Sequence, residues 1–295
     1  MSKRNPKIAS ATFYILIFFM GTVWGHHLSK RYDAFPISAL ASEVLPFIGE
    51  ENQPISNIAN NQAIPEQPVY KDSVKIPIIV YHSIRPYTPD ESKIQDQFDI
   101  TPELFEKHLE YLKKNGFTTL SFNQLADYFI NKKPLPQKSV ILNFDDGWEN
   151  QYTYAFPLLK KYHDIGTFFI FTNAIGHKHY LTSEEIHELD ASGMEIGSHT
   201  KSHPYLSKLS SLELKKEIFE SKDILEHLLG KPVTAFASPF GYSNPEIISI
   251  IKEAGYTTGR TTVPGTYHTK DDLLQLKSIL IGDNFTYFTN VLGSK

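Results

Sequence analysis

Two short polar clusters hold most of the side chains in this sequence that could do chemistry. Asp145, Asp146 and Gly147 follow directly on the apolar run through Val140, Ile141 and Leu142, while His199 and His203 stand four positions apart just after the run at 194–197. A third candidate, His82, closes the apolar run at 76–81. Carboxylates leaving a buried segment are no ordinary surface turn, because an unpartnered buried carboxylate is costly. Two imidazoles four positions apart share one face if the backbone turns helically, and Pro204 is tolerable in a first turn. Two histidines and one carboxylate suit zinc or another divalent transition metal with open positions for water and substrate. Hydrolysis by an activated water also needs a base beside the ligands, and a second adjacent carboxylate can supply it. Each signal alone is weak; their joint appearance after successive apolar runs is what points to a site.

These groups must be positioned by regular elements. Short apolar runs at 76–81, 139–144, 166–171, 194–197, 233–237 and 279–281 alternate with helical patterns at 102–115, 121–131, 150–162, 183–192, 210–229 and 245–254. Gly116, Gly193, Gly230 and Gly255 stand where a helix should stop. Such alternation argues for a parallel sheet in an α/β barrel or doubly wound fold, with chemistry at the carboxyl ends of the strands. His82, the Asp-Asp pair and the two histidines all fall there.

The 295 residues are 41% hydrophobic and 21% charged, enough for a sizeable core, and the net charge of -4 gives no positive field for gripping nucleic acid. The absence of cysteine excludes disulfides, thiolate metal sites and a cysteine nucleophile. Lys3, Arg4 and Lys7 precede an apolar stretch at 8–25, which as a helix spans roughly 27 Å and suits one membrane crossing with the amino terminus in the cytoplasm. Cleavage near Ala39-Leu40-Ala41 is the alternative, giving a secreted protein. Residues 26–75, with Pro54, Pro65 and Pro68 and little periodicity, read as an extracytoplasmic linker, leaving 76–295 as the catalytic domain.

Three ordered segments carry a family likeness. Asn143-Phe144-Asp145-Asp146-Gly147, Ser198-His199-Thr200-Lys201-Ser202-His203 and Phe236-Ala237-Ser238-Pro239-Phe240-Gly241 resemble motifs of the polysaccharide deacetylase family, carbohydrate esterase family 4. Tyr81-His82-Ser83-Ile84 looks like the opening motif of its poly-N-acetylglucosamine deacetylase branch. The resemblance covers about 76–282 and implies a distorted (β/α) barrel with fewer than eight full units. It assigns Asp146, His199 and His203 to a divalent metal, Zn2+ with Co2+ or Ni2+ as alternatives, and Asp145 to the general base. A backbone N–H near Phe240 would stabilise the oxyanion, and the substrate would be an N-acetylated polysaccharide of the cell wall or the extracellular space.

Two family positions differ here. The arginine that commonly begins the third motif is Ala237, and the late Leu-x-His appears as Leu276-Lys277-Ser278. His82 is therefore expected to serve as the general acid and Arg260 to orient Asp145. Trp148, Tyr205, Phe240 and Tyr242 follow the motifs, and Trp148 and Tyr242 are expected at the substrate. The other histidines, including His108, His163, His177, His179, His187 and His227, read mostly as surface residues. A non-haem iron oxygenase would explain two histidines and a carboxylate but not Asp145; a non-catalytic polysaccharide-binding module would explain the lost arginine and late histidine.

Overall fold

The computed structural model describes residues 70–88 and 98–293. The expected membrane helix and nearly all of the expected linker lie outside the described residues, and among those described no helix is long and apolar enough to cross a membrane.

Eight parallel strands form one sheet: β1 (Ile78–Tyr81), β2 (Thr118–Leu120), β3 (Ser139–Phe144), β4 (Thr167–Ile170), β5 (Glu195–Ser198), β6 (Ala235–Ala237), β7 (Thr258–Arg260) and β8 (Ile279–Leu280). Their order is β7-β6-β5-β4-β3-β1-β8, with β2 paired to the start of β3. Among the described residues β7 and β8 do not pair, so the sheet curls into a half-barrel and leaves the ring open. That agrees with a distorted barrel. Every residue of β1, β3 and β4 is buried, as expected of parallel strands covered on both faces.

The intervening helices are α1 (Pro102–Lys114), α2 (Phe122–Asn131), α3 (Phe156–Tyr162), α4 (Ser183–Ala191), α5 (Ser211–Leu229), α6 (Pro245–Glu253) and α7 (Phe285–Gly293). Their starts are chemically marked. Ser121, Thr182 and Ser210 each close a capping box with the Gln or Glu three residues on, and Asn244 caps α6 ahead of Pro245. Gly230 ends α5 at φ 66°, the left-handed stop its position suggested.

The structure departs from expectation in several places. The helix expected over 150–162 begins as a π-turn, Gln151–Ala155, before α3. Residues Ser73–Lys75, expected in the linker, pair antiparallel with Tyr267–Thr269, and Val74 packs on the core. His108, expected at the surface, is fully buried on α1, with its ring stacked on Phe288 of α7 at 3.9 Å and its Nδ1 bonded to the Tyr81 hydroxyl at 3.1 Å. It falls on the apolar stripe with Phe105, Leu109 and Leu112, which hydropathy alone does not assign to a histidine.

Candidate active site

The carboxyl ends of β1, β3, β5, β6 and β7 deliver His82, the Asp145-Asp146 pair, His199, Ser238 and Arg260 to one cleft of about 1130 Å3. Strand geometry sets the first contact. Asn143 and Asp145 are two residues apart, so they share a face of the β3 line, and the Asn143 amide donates to Asp145 Oδ1 at 2.9 Å. The Asp145 N–H donates to the Tyr81 carbonyl at 2.9 Å, extending the β1–β3 ladder by one step.

Arg260 completes the hold on Asp145. The parallel register of β6 and β7 sets Arg260 directly opposite Ala237. From there its Nη2 donates to Asp145 Oδ2 at 2.5 Å, with both side chains almost wholly buried and the guanidinium over the Phe169 ring at 5.7 Å. The small Ala237 leaves room for that reach. An arginine is thus present, supplied by the neighbouring strand.

Asp146 and Gly147 both take positive φ, 75° and 72°, the pair of values that Asp-Gly adopts most readily in a tight turn. A Cβ on Gly147 would also press on Ile170 at 3.2 Å, so this glycine serves both the turn and its packing. The turn swings Asp146 away from Asp145. Its Oδ2 accepts from Trp148 Nε1 at 3.1 Å, and its Oδ1 faces His203 Nε2 at 3.2 Å and His199 Nε2 at 3.6 Å.

The two histidines do not share a helix, which corrects the helical-turn expectation. Residues after β5 form a loop in which Thr200 (φ 69°) and His203 (φ 58°) are left-handed, and the Thr200 hydroxyl accepts the His203 N–H at 3.1 Å. A β-branched residue rarely adopts such a φ, so this loop stores strain to bring both rings to one point.

Three donor atoms, from Asp146, His199 and His203, lie within 4.8 Å of one another. Their chemistry fits a cation. His199 Nδ1 lies 2.7 Å from the Ala237 carbonyl, which only an N–H can satisfy, so its Nε2 carries a lone pair. Burial pushes this imidazole down to about 4, which keeps it neutral. Asp146 Oδ1, 3.6 Å from that nitrogen, is buried and among the described residues accepts no aligned hydrogen bond. Burial opposes its ionisation, but the imidazoles of His203 and His82 outweigh that and hold the carboxyl below its usual range. Lone pair facing carboxylate is a repulsive arrangement that a divalent metal resolves.

His82 lies on the other side of Asp145, its Nε2 3.9 Å from Oδ2, too far for a hydrogen bond. Its ring is partly exposed to the cleft, meets Phe98 edge-on at 5.0 Å, and has a buried Nδ1 that finds no partner among the described residues. Gln151, on the π-turn, donates from Nε2 to the His82 carbonyl at 2.7 Å and to the Asp145 carbonyl at 2.5 Å. Sequence reasoning missed Gln151 and the role of Asn143. The i, i+2 spacing could have found Asn143; Gln151 acts across 69 residues, where no local signal exists.

Phe240 is left-handed (φ 56°) in the turn Pro239–Gly241, and among the described residues no acceptor meets its N–H. Its ring lines the cleft, stacked on Tyr205 at 3.9 Å. Trp148 also lines the cleft, whereas Tyr242 is exposed just beyond the turn and is not among the lining residues.

A family model described as polysaccharide deacetylase matches residues 132–259, a stretch that holds Asp145, Asp146, His199 and His203. The chain is 33% identical over 191 residues to YxkH of Bacillus subtilis (strain 168), covering 65% of this chain and 66% of that one. It is 26% identical over 277 residues to the poly-beta-1,6-N-acetyl-D-glucosamine N-deacetylase of Staphylococcus aureus (strain MSSA476), covering 86% of this chain and 94% of that one. Its fold superposes on the Streptococcus pyogenes deacetylase PplD in complex with acetate with a TM-score of 0.68 and 32% identity, over 72% of this chain and 94% of that one. With the expected strand-end groups gathered in one cleft, the chain belongs to the polysaccharide deacetylase family.

Proposed function

We propose that the chain is a metal-dependent hydrolase that removes N-acetyl groups from N-acetylglucosamine units of a cell-wall or extracellular polysaccharide, releasing acetate. The observation that carries this reading is a buried carboxylate, Asp145, held by Arg260 and Asn143 beside the converging Asp146, His199 and His203. The S. aureus relative named for poly-beta-1,6-N-acetyl-D-glucosamine, similar over most of both chains, supports the sugar.

Asp146, His199 and His203 would hold the metal, with Zn2+ favoured and Co2+ or Ni2+ also compatible with the donor set. Such an ion supplies Lewis acidity, polarising a carbonyl and making water a better acid at neutral pH. The protein's own groups do the rest. Asp145 accepts the proton of the attacking water, and its two hydrogen bonds fix the free lone pair toward the cleft instead of letting the carboxylate rotate. The Phe240 N–H donates to the oxygen that becomes negative as the acetamide carbonyl is attacked, a contribution of about 3 kcal/mol for one such donor. His82 gives a proton to the departing sugar amine, so that amide and water become amine and acetate. Trp148 and Phe240 provide apolar walls for a sugar ring.

The same proposal places the domain outside the cytoplasm on a single-pass amino-terminal anchor, supported by Lys3, Arg4 and Lys7 ahead of the apolar stretch at 8–25. The test is acetate release from N-acetylglucosamine oligomers by full-length protein stripped of metal and resupplied with Zn2+ or Co2+. Release that depends on the metal supports the reading; no release from β-1,6- or β-1,4-linked oligomers, with one metal bound per chain, overturns it.

A further inference from the structure

The loop that follows β4 returns across the cleft wall and pairs with the segment after Asp146. Trp148 and Tyr180 form an antiparallel bridge, reinforced by hydrogen bonds from the Glu149 N–H to the His179 carbonyl and from the Leu181 N–H to the Gly147 carbonyl, both 2.9 Å. The pairing lays the Tyr180 ring on the Trp148 indole at 4.5 Å and 21°. Tyr180 also meets Phe171 edge-on at 5.3 Å, and Phe171 in turn lies 5.4 Å from the His203 ring. Trp148 Nε1 donates to Asp146 Oδ2. Three aromatic rings therefore form an arch whose two feet rest on two of the three metal-site residues.

We propose that Tyr180 is a positioning residue for the metal centre, clamping Trp148 onto Asp146 and Phe171 beside His203. The proposal rests on the metal reading given above. Its physical basis is that Asp146 sits at positive φ on a two-residue turn, where among the described residues a single hydrogen bond on Oδ2 fixes its carboxylate plane. That bond comes from an indole whose own angle is set by the ring stacked on it. Partners of this kind, one step removed from the metal, typically contribute about 10–100-fold to metal affinity. Tyr180 needs its ring for this task, not its hydroxyl.

The test measures the affinity of the metal-stripped full chain in mild detergent for Zn2+ and Co2+, by competition with a chelator and by the Co2+ absorption spectrum. Tyr180→Ala, one contact further out than Trp148, is expected to weaken metal binding by about 10-fold, the lower end of that range, and to alter the Co2+ spectrum, while Tyr180→Phe behaves as the parent. At saturating metal the Ala variant should regain most of its turnover, with KM little changed. Trp148→Phe keeps a ring against Tyr180 and removes only the N–H; it should also weaken metal binding, and it carries the test if Tyr180→Ala does not fold. Unchanged metal affinity in both variants, with a raised KM for oligosaccharide, would make Tyr180 a sugar platform and overturn the proposal. A parent chain that binds no divalent metal would overturn the metal reading itself, and this proposal with it.

Discussion

Replacing Arg260 with methionine keeps most of the side-chain volume and deletes one charge from a buried pair. In the folded protein Asp145 is left with the Asn143 amide as its remaining side-chain donor, in a position that water scarcely reaches. Removing one member of such a pair costs roughly 3–5 kcal/mol, because the surviving charge stays buried without compensation. For a domain of this size that corresponds to a Tm lowered by about 6–20 °C. The double variant Arg260→Met/Asp145→Asn removes both charges while the amide oxygen introduced by the second substitution can still accept from Asn143, so most of the lost stability should return. The assay is denaturant unfolding of the metal-free full chain in mild detergent, which separates the pair from any stabilisation by bound metal. A loss under about 1 kcal/mol for the single variant, the range of exposed ion pairs, or a double variant no more stable than the single one, would refute the claim that Arg260 balances a buried Asp145.

Three further outcomes follow from the geometry. His82→Ala should reduce acetamide hydrolysis by about 10²–10⁴-fold while sparing an activated aryl acetate, whose leaving group needs no proton; equal losses on both substrates would remove His82 from the acid role. Adding Zn2+ at a hundredfold excess over its Kd should stabilise the stripped protein by about 2.7 kcal/mol, seen as a raised Tm, and the shift should vanish in His199→Ala; a shift that persists there would place the metal elsewhere. Burial pushes the His108 imidazole down to about 3, so the unfolded chain binds a proton that the folded one refuses, and stability falls as the pH drops from about 6.5 toward 3. His108→Gln should therefore flatten the acid limb of stability by about 2–3 kcal/mol between pH 6 and pH 4, measured by denaturant midpoints; an unchanged slope would mean that the ring is protonated in the fold.

The elements legible in the sequence were those with strong local marks. The helices with Ser or Thr caps and glycine stops were found to within a residue or so, and β3 was visible as an uninterrupted apolar run. Of the three-residue strands in the sheet, Ala235–Ala237 fell inside the expected run at 233–237, whereas Thr118–Leu120 and Thr258–Arg260 were missed. Thr258–Arg260 contains a glycine and an arginine and carries no hydropathy pattern, yet its register against Ala237 is what brings Arg260 to Asp145. Among the site residues, Asp146, His199 and His203 were recognisable from residue type and strand-end position, and the structure gathers them. The backbone that gathers them was not recognisable: a four-residue spacing suggested a helical turn, whereas the chain uses left-handed Thr200 and His203. Trp148 illustrates a different limit. Its place beside the site suggested a sugar wall, but its hydrogen bond to Asp146 depends on a rotamer fixed by Tyr180 from a separate loop, and such tertiary contacts leave no trace in local sequence.

The most direct test of the account concerns Asp145. In the full chain reloaded with metal, Asp145→Asn preserves the shape of the side chain and keeps one of its two acceptor oxygens, for Arg260 or for Asn143, but cannot take a proton. The account predicts one metal bound per chain, as in the parent, and acetate release from N-acetylglucosamine oligomers reduced by at least about 10²-fold. Turnover close to the parent with the metal in place would contradict it, because the buried carboxylate would then have no part in the hydrolysis.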